Sequence, residues 1–84
     1  MHELAITESL VDLVVERTAG RRVVAVNVRV GDRSGVVPDA MSFCFDVVAA
    51  ETPLAGAAVL VIEECPGEDL ALVSVELVRE PSCA

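Results

Sequence analysis

The spacing of apolar residues changes period at Gly20, and that change restricts the fold more than any compositional value. From Leu4 to Ala19, Ile6, Leu10, Leu13 and Val14 recur at helical intervals, with Glu8, Asp12, Glu16 and Arg17 on the other faces, which predicts an amphipathic helix. Gly20 supplies its stop, because glycine adopts the left-handed conformation at little cost. Between Arg22 and Val30, Val24, Val26, Val28 and Val30 alternate with Ala25, Asn27 and Arg29, the two-residue period of a half-buried strand. Gly31 and Asp32 end it with turn chemistry.

Pro38 suits a first helical position, and Met41, Phe45 and Val48 follow at i, i+4 and i+7, so a second helix is expected from Pro38 to Ala50. Pro53 and Gly56 mark the loop from Glu51 to Gly56. The apolar run Ala57 to Ile62 is short and β-branched enough to favour a buried strand. After a tight polar break at Cys65, Pro66, Gly67 and Glu68, Leu70 to Val78 is again rich in β formers, and these last two strands are expected to pair as a hairpin. The order helix-strand-helix-strand-strand predicts an α/β (α+β) fold, with two helices packed on one face of a three-stranded sheet. The far face carries Val23, Ala25, Val73 or their neighbours, an apolar surface suited to a homodimer contact.

With 84 residues the chain is read as one domain, 1–84, and with 54% apolar but only 2% aromatic residues its core must be built from Val, Leu, Ile and Ala. The longest apolar run, Ala57 to Ile62, is far below the roughly 18 residues of a membrane span, so no membrane association is expected. No basic stretch followed by an apolar segment opens the chain, which argues against export. A net charge of −8 with only six Lys and Arg residues repels phosphate backbones, so no nucleic acid is expected as a partner. Cys44, Cys65 and Cys83 are odd in number and widely spaced, which fits free thiols and a cytoplasmic location.

His2 is the only histidine, and near the terminus it offers what an interior histidine cannot. Its imidazole, its own amide nitrogen and the amine of Met1 can grip one metal through five- and six-membered chelate rings. Nitrogen donors of this kind favour square-planar Ni(II) or Cu(II) over tetrahedral Zn(II). Glu3 can add its amide nitrogen or a nearby carboxylate. The plainer alternative is a solvated histidine at a frayed end. The cysteines lack the paired Cys-x-x-Cys spacing of thiolate sites, so no zinc is expected. Cys44, among Met41, Phe43 and Phe45, reads as a small core hydrophobe, while Cys65 and Cys83 read as exposed. With its sole histidine at the terminus and no phosphate-binding glycine loop, the chain shows no catalytic apparatus, and an enzyme is not expected. The scattered acidic residues are ordinary surface charges, although Glu63, Glu64, Glu68 and Asp69 could form an acidic rim for a basic partner.

The opening Met1-His2-Glu3-Leu4-Ala5-Ile6-Thr7-Glu8-Ser9-Leu10, then Val26-Asn27-Val28-Arg29-Val30-Gly31, Ser34-Gly35-Val36-Val37-Pro38 and Phe43-Cys44-Phe45-Asp46, resembles HypA, the hydrogenase nickel-incorporation proteins. Thr52-Pro53, Gly56-Ala57 and the strand to Glu64 continue the likeness. The resemblance implies a nickel metallochaperone that works with a maturation GTPase and a hydrogenase large subunit, and in some organisms serves urease. Carried over by residue, it makes His2 the principal Ni(II) ligand through imidazole and amide nitrogen, with Glu3 supplying its amide nitrogen or a nearby carboxylate and Met1 its amine. The family's zinc-binding domain, with two Cys-x-x-Cys motifs between the last two strands, is missing here between about residues 64 and 68. The competing expectation is therefore an interaction or scaffold module that binds a maturation GTPase or hydrogenase subunit without delivering nickel.

Overall fold

The computed structural model describes residues 2–56 and 58–78 and contains α1 (Glu3–Thr18), β1 (Val23–Gly31), α2 (Pro38–Ala49), β2 (Val59–Cys65) and β3 (Leu70–Leu77). Both helices pack on one face of the three-stranded sheet, as their amphipathic patterns require. Val11 and Val14 of α1, Met41 and Phe45 of α2, and Val26, Val28 and Val30 of β1 meet in a single core. Leu54, from the expected loop between α2 and β2, is only 1% exposed and joins that core. Local bonds fold the loop inward: the Thr52 hydroxyl donates to the Ala49 carbonyl at 2.8 Å and accepts the Leu54 N–H at 3.1 Å.

The expected hairpin does not form. The sheet order is β2-β1-β3, with β1 parallel to β2 and antiparallel to β3. The last two strands are neighbours in sequence but flank β1 in space, because α2 carries the chain from β1 to a parallel β2 and leaves the other edge of β1 open for β3. Residues 66–69 must then cross the end of β1 in a short span. They lie against Gly31, whose N–H donates to the Asp69 carbonyl at 2.6 Å. Asp32 N–H donates to the Cys65 carbonyl at 2.8 Å and Arg33 N–H to that of Gly67 at 2.7 Å. The Asp32 carboxylate accepts the Gly67 N–H at 2.8 Å.

Two irregularities revise the inside-outside assignment. Between Val23 and Ala25 the β1–β3 register shifts, leaving Val24 without a partner, and a second shift leaves Val73 unpaired. Each is an extra residue of the β-bulge type. Val23 consequently turns into the core at 1% exposure, contrary to its expected place on the far face, while Val24 is 42% exposed. Ala25 does lie on the far face but is covered, and Val73 is exposed. That face is largely a polar ladder: Asn27 Nδ2 donates to Ser74 Oγ at 3.0 Å and Glu76 Oε2 at 3.1 Å, and Arg29 lies 3.9 Å from Glu63.

On α1 the buried stripe is Thr7, Leu10, Val11, Val14 and Thr18, whereas Leu13, expected inside, is 36% exposed. The helix stops at Thr18, whose hydroxyl donates to the Val14 carbonyl at 2.8 Å, and the left-handed turn begins on Ala19 (φ 51°) before Gly20 (φ 79°). Thr7 Oγ1 is buried and has no hydrogen-bond partner among the described residues. Burying an unsatisfied hydroxyl costs about 1–3 kcal/mol, so the near-isosteric Thr7→Val is expected to raise stability by about 1 kcal/mol. Urea denaturation checks this; a less stable variant would show that the hydroxyl is satisfied.

Candidate metal centre

His2 is exposed and stands at the N-cap of α1 with φ 73° and ψ 18°, the left-handed region. A capping residue ordinarily sits in the β region and lends a side-chain oxygen to the helix; His2 makes no side-chain capping bond. Non-glycine residues in this region carry a local strain of about 1–2 kcal/mol. The helical ladder begins with Ile6, whose N–H donates to the His2 carbonyl at 3.0 Å, so the His2 amide lies upstream of it. The histidine and its amide thus sit at the tip of the helix, clear of the packed layer.

Glu3 starts the helix and reaches across to the second one. Its Oε2 accepts the N–H of Val37, the N-cap of α2, at 3.0 Å. A carboxylate there satisfies one amide of the α2 terminus and complements its positive dipole end. The positive amino terminus foremost, then the N–H groups of Val37 and Glu3 itself, lower the Glu3 carboxyl from 4.5 to about 2. The carboxylate therefore keeps its charge, and its hold on α2, throughout the ordinary pH range. Nothing near Glu3 in sequence announces Val37 as its partner; the pairing comes from the two helix starts meeting at one pole.

Ile6 and Leu10 of α1, Val28 of β1 and Leu70 and Leu72 of β3 line one apolar groove, so the start of α1 overlies the end of β1 and the start of β3. His2 therefore belongs to the same pole as the crossing from β2 to β3. Met1, the remaining expected donor, lies outside the described residues, as do Cys83 and the first residue of the expected Ala57–Ile62 strand. Among the described residues no group of three or more His, Cys, Asp or Glu side chains is placed to hold a metal ion. Cys44 and Cys65 are free thiols, both partly buried; neither is the core or fully exposed residue expected from sequence. Phe43, beside Cys44, points outward with 70% exposure, which explains the first departure. The acidic residues Glu63, Glu64, Glu68 and Asp69 are exposed, and Glu63 faces Arg29. No described helix is long and apolar enough to cross a membrane.

The profile of the family described as "Hydrogenase/urease nickel incorporation, metallochaperone, hypA" matches residues 1–70. The chain belongs to the HypA family. It is 52% identical over 67 residues to the hydrogenase maturation factor HypA of Geobacter metallireducens, covering 80% of this chain and 60% of that protein. The HypA of a Nostoc species is 45% identical over 67 residues, covering 80% of this chain and 58% of the other. The chain thus spans about three fifths of the length of these curated relatives. The solution structure of the Ni metallochaperone HypA from Helicobacter pylori superposes with a TM-score of 0.78 over 95% of this chain and 100% of that one. At 19% identity this second likeness speaks for the HypA fold alone.

Proposed function

We propose that this chain binds nickel as cargo for hydrogenase maturation, holding Ni(II) at Met1, His2 and Glu3 for delivery with a GTPase partner to the hydrogenase large subunit. The observation that carries this reading is the placement of His2: exposed, ahead of the helical ladder, and left-handed at the cap. Membership of a family described by nickel incorporation supplies the metal. An imidazole and an amide nitrogen of one residue close a six-membered ring around the ion, and the preceding amine closes a five-membered one. The Glu3 amide nitrogen would close a second five-membered ring in place of the six-membered one, and either set is of the nitrogen kind suited to square-planar Ni(II). The positive end of α1 favours the deprotonated, anionic amides that such binding needs. The Glu3 side chain contributes differently, by fastening this end of α1 to α2.

Nickel titration of untagged protein tests the proposal. A 1:1 site is expected in wild type, with affinity falling at least about 100-fold in His2→Ala and in a variant with one residue added before Met1. Affinity should also drop steeply on acidification, because protons compete for the imidazole and amide nitrogens. Absence of binding at micromolar nickel, or equal binding by His2→Ala, rejects the site.

The reading treats the chain as a nickel-type domain alone, without the zinc-binding segment, since only residues 66–69 join β2 to β3. That shortness favours a second reading, in which the chain is a scaffold that engages a maturation GTPase or hydrogenase subunit without carrying nickel. Equal retention of such a purified partner by wild type and His2→Ala in nickel-free buffer supports the scaffold; retention that requires both His2 and nickel supports the carrier.

A further inference from the structure

We propose that the outer face of α2 is a docking seam for one amphipathic helix of a partner protein, a helix that carries Lys or Arg beside its apolar stripe. Two apolar stripes run along α2. Met41, Phe45 and Ala49 are buried and face the core. Ala40, Phe43, Val47 and Ala50 follow one another at spacings of three, four and three residues, the a/d pattern of helices packed side by side. At about 100° per residue this second stripe falls on the side of the helix opposite the first. Ala40 is half-buried, but Phe43 is 70% and Val47 54% exposed, and Ala50 is exposed while keeping helical φ and ψ. One of the only two aromatic residues of the chain therefore stands in water. Buried aromatic side chains are the commonest anchors of protein–protein contacts, and a helix face with such an anchor at a/d spacing fits another helix.

The flanking charges decide the kind of partner. With Ala40 and Val47 at a and Phe43 and Ala50 at d, Asp39 and Asp46 take the g positions, and Glu51 takes the e position just past the last turn. All three acids are exposed, and α2 itself contains no Lys, Arg or His. Side chains at e and g meet the flanking charges of the opposite helix, so a seam of one negative sign accepts a cationic helix and repels an acidic one. A second copy of this chain is disfavoured by the same rule. Parallel pairing would set Asp46 against Glu51, and antiparallel pairing would set Asp39 against Asp46. Neither His2 nor a metal takes part in this contact.

The probes are two synthetic amphipathic peptides with Leu at a and d, one with Lys and the other with Glu at e and g, each too like-charged to pair with itself. Chemical-shift titration of isotope-labelled protein at about 0.15 M salt reads the contact residue by residue. A short seam makes a small interface, so the Lys peptide is expected to bind with a dissociation constant of roughly tens to hundreds of micromolar, its shifts centred on the outer face of α2. Phe43→Ala, which leaves the net charge unchanged, should weaken it at least about tenfold. Asp46→Lys combined with Glu51→Lys should weaken the Lys peptide at least about tenfold and gain the Glu peptide. Glu63→Lys combined with Glu76→Lys makes the same change in net charge on the open face of the sheet and should leave binding within about twofold. Binding that survives Phe43→Ala, or that both charge variants weaken equally, is attraction by net charge alone and overturns the proposal. So does a wild type that ignores the Lys peptide, or one that forms a dimer which Phe43→Ala dissolves, since the seam would then belong to a second copy.

Discussion

Replacing Gly31 by alanine is expected to destabilise the domain by about 3 kcal/mol, roughly 12–24 °C in the thermal midpoint for a chain of this size. A Cβ at this position would fall on the Gly67 carbonyl oxygen, 2.7 Å from the Gly67 carbonyl carbon and 2.9 Å from the Asp69 nitrogen. All three are backbone atoms, which cannot swing aside as a flexible side chain would. The crossing from β2 to β3 must therefore lift away, weakening the bonds that tie it to Gly31, Asp32 and Arg33. Two or three such bonds, at about 1 kcal/mol each, account for the magnitude. Asp32→Ala serves as the comparison: it removes the carboxylate bond to Gly67 without adding bulk, and should destabilise by about 1 kcal/mol. If Gly31→Ala melts within a few degrees of wild type, residues 66–69 do not cross this close to Gly31.

The second large effect separates the two aromatic residues of the chain. Phe45 is 1% exposed and Phe43 is 70% exposed, although they stand two positions apart on α2. Phe45→Ala removes the largest fully buried side chain and should destabilise by about 3–5 kcal/mol. Against a total stability of about 5–15 kcal/mol, that leaves the variant marginal at 37 °C. Phe43→Ala should remain within about 0.5 kcal/mol of wild type. Thermal melts followed by far-ultraviolet circular dichroism compare them directly. Equal losses would contradict the orientation of α2 and with it the packing of both helices on the sheet.

The reason Phe45 was legible and Phe43 was not follows from helical spacing. Met41, Phe45 and Val48 repeat at core intervals, so Phe45 is placed inside by its own neighbours. Phe43 falls off that stripe, and its company with Met41 and Phe45 in sequence is what makes Cys44 read as a core hydrophobe. The proposed metal site rests on the sequence in a different way. A lone histidine at position 2 shows the available donors, and the family resemblance gives them a purpose. The tether that fastens this end of α1, from Glu3 to the N–H of Val37, joins residues 34 apart and has no local signature.

The succession of two helices and three strands was determined by the sequence itself, because helical and alternating periods follow from the geometry of each segment's own backbone. Tertiary structure decided which strands became neighbours. A β-rich segment after a tight turn can pair with its predecessor or pass beyond it, and here α2 set β2 parallel to β1 and left the opposite edge to β3. The same pairing moved Val23 inward past the extra residue at Val24 and placed Gly67 over Gly31. Such outcomes depend on which distant surfaces are buried together, and that free energy appears only when the segments meet.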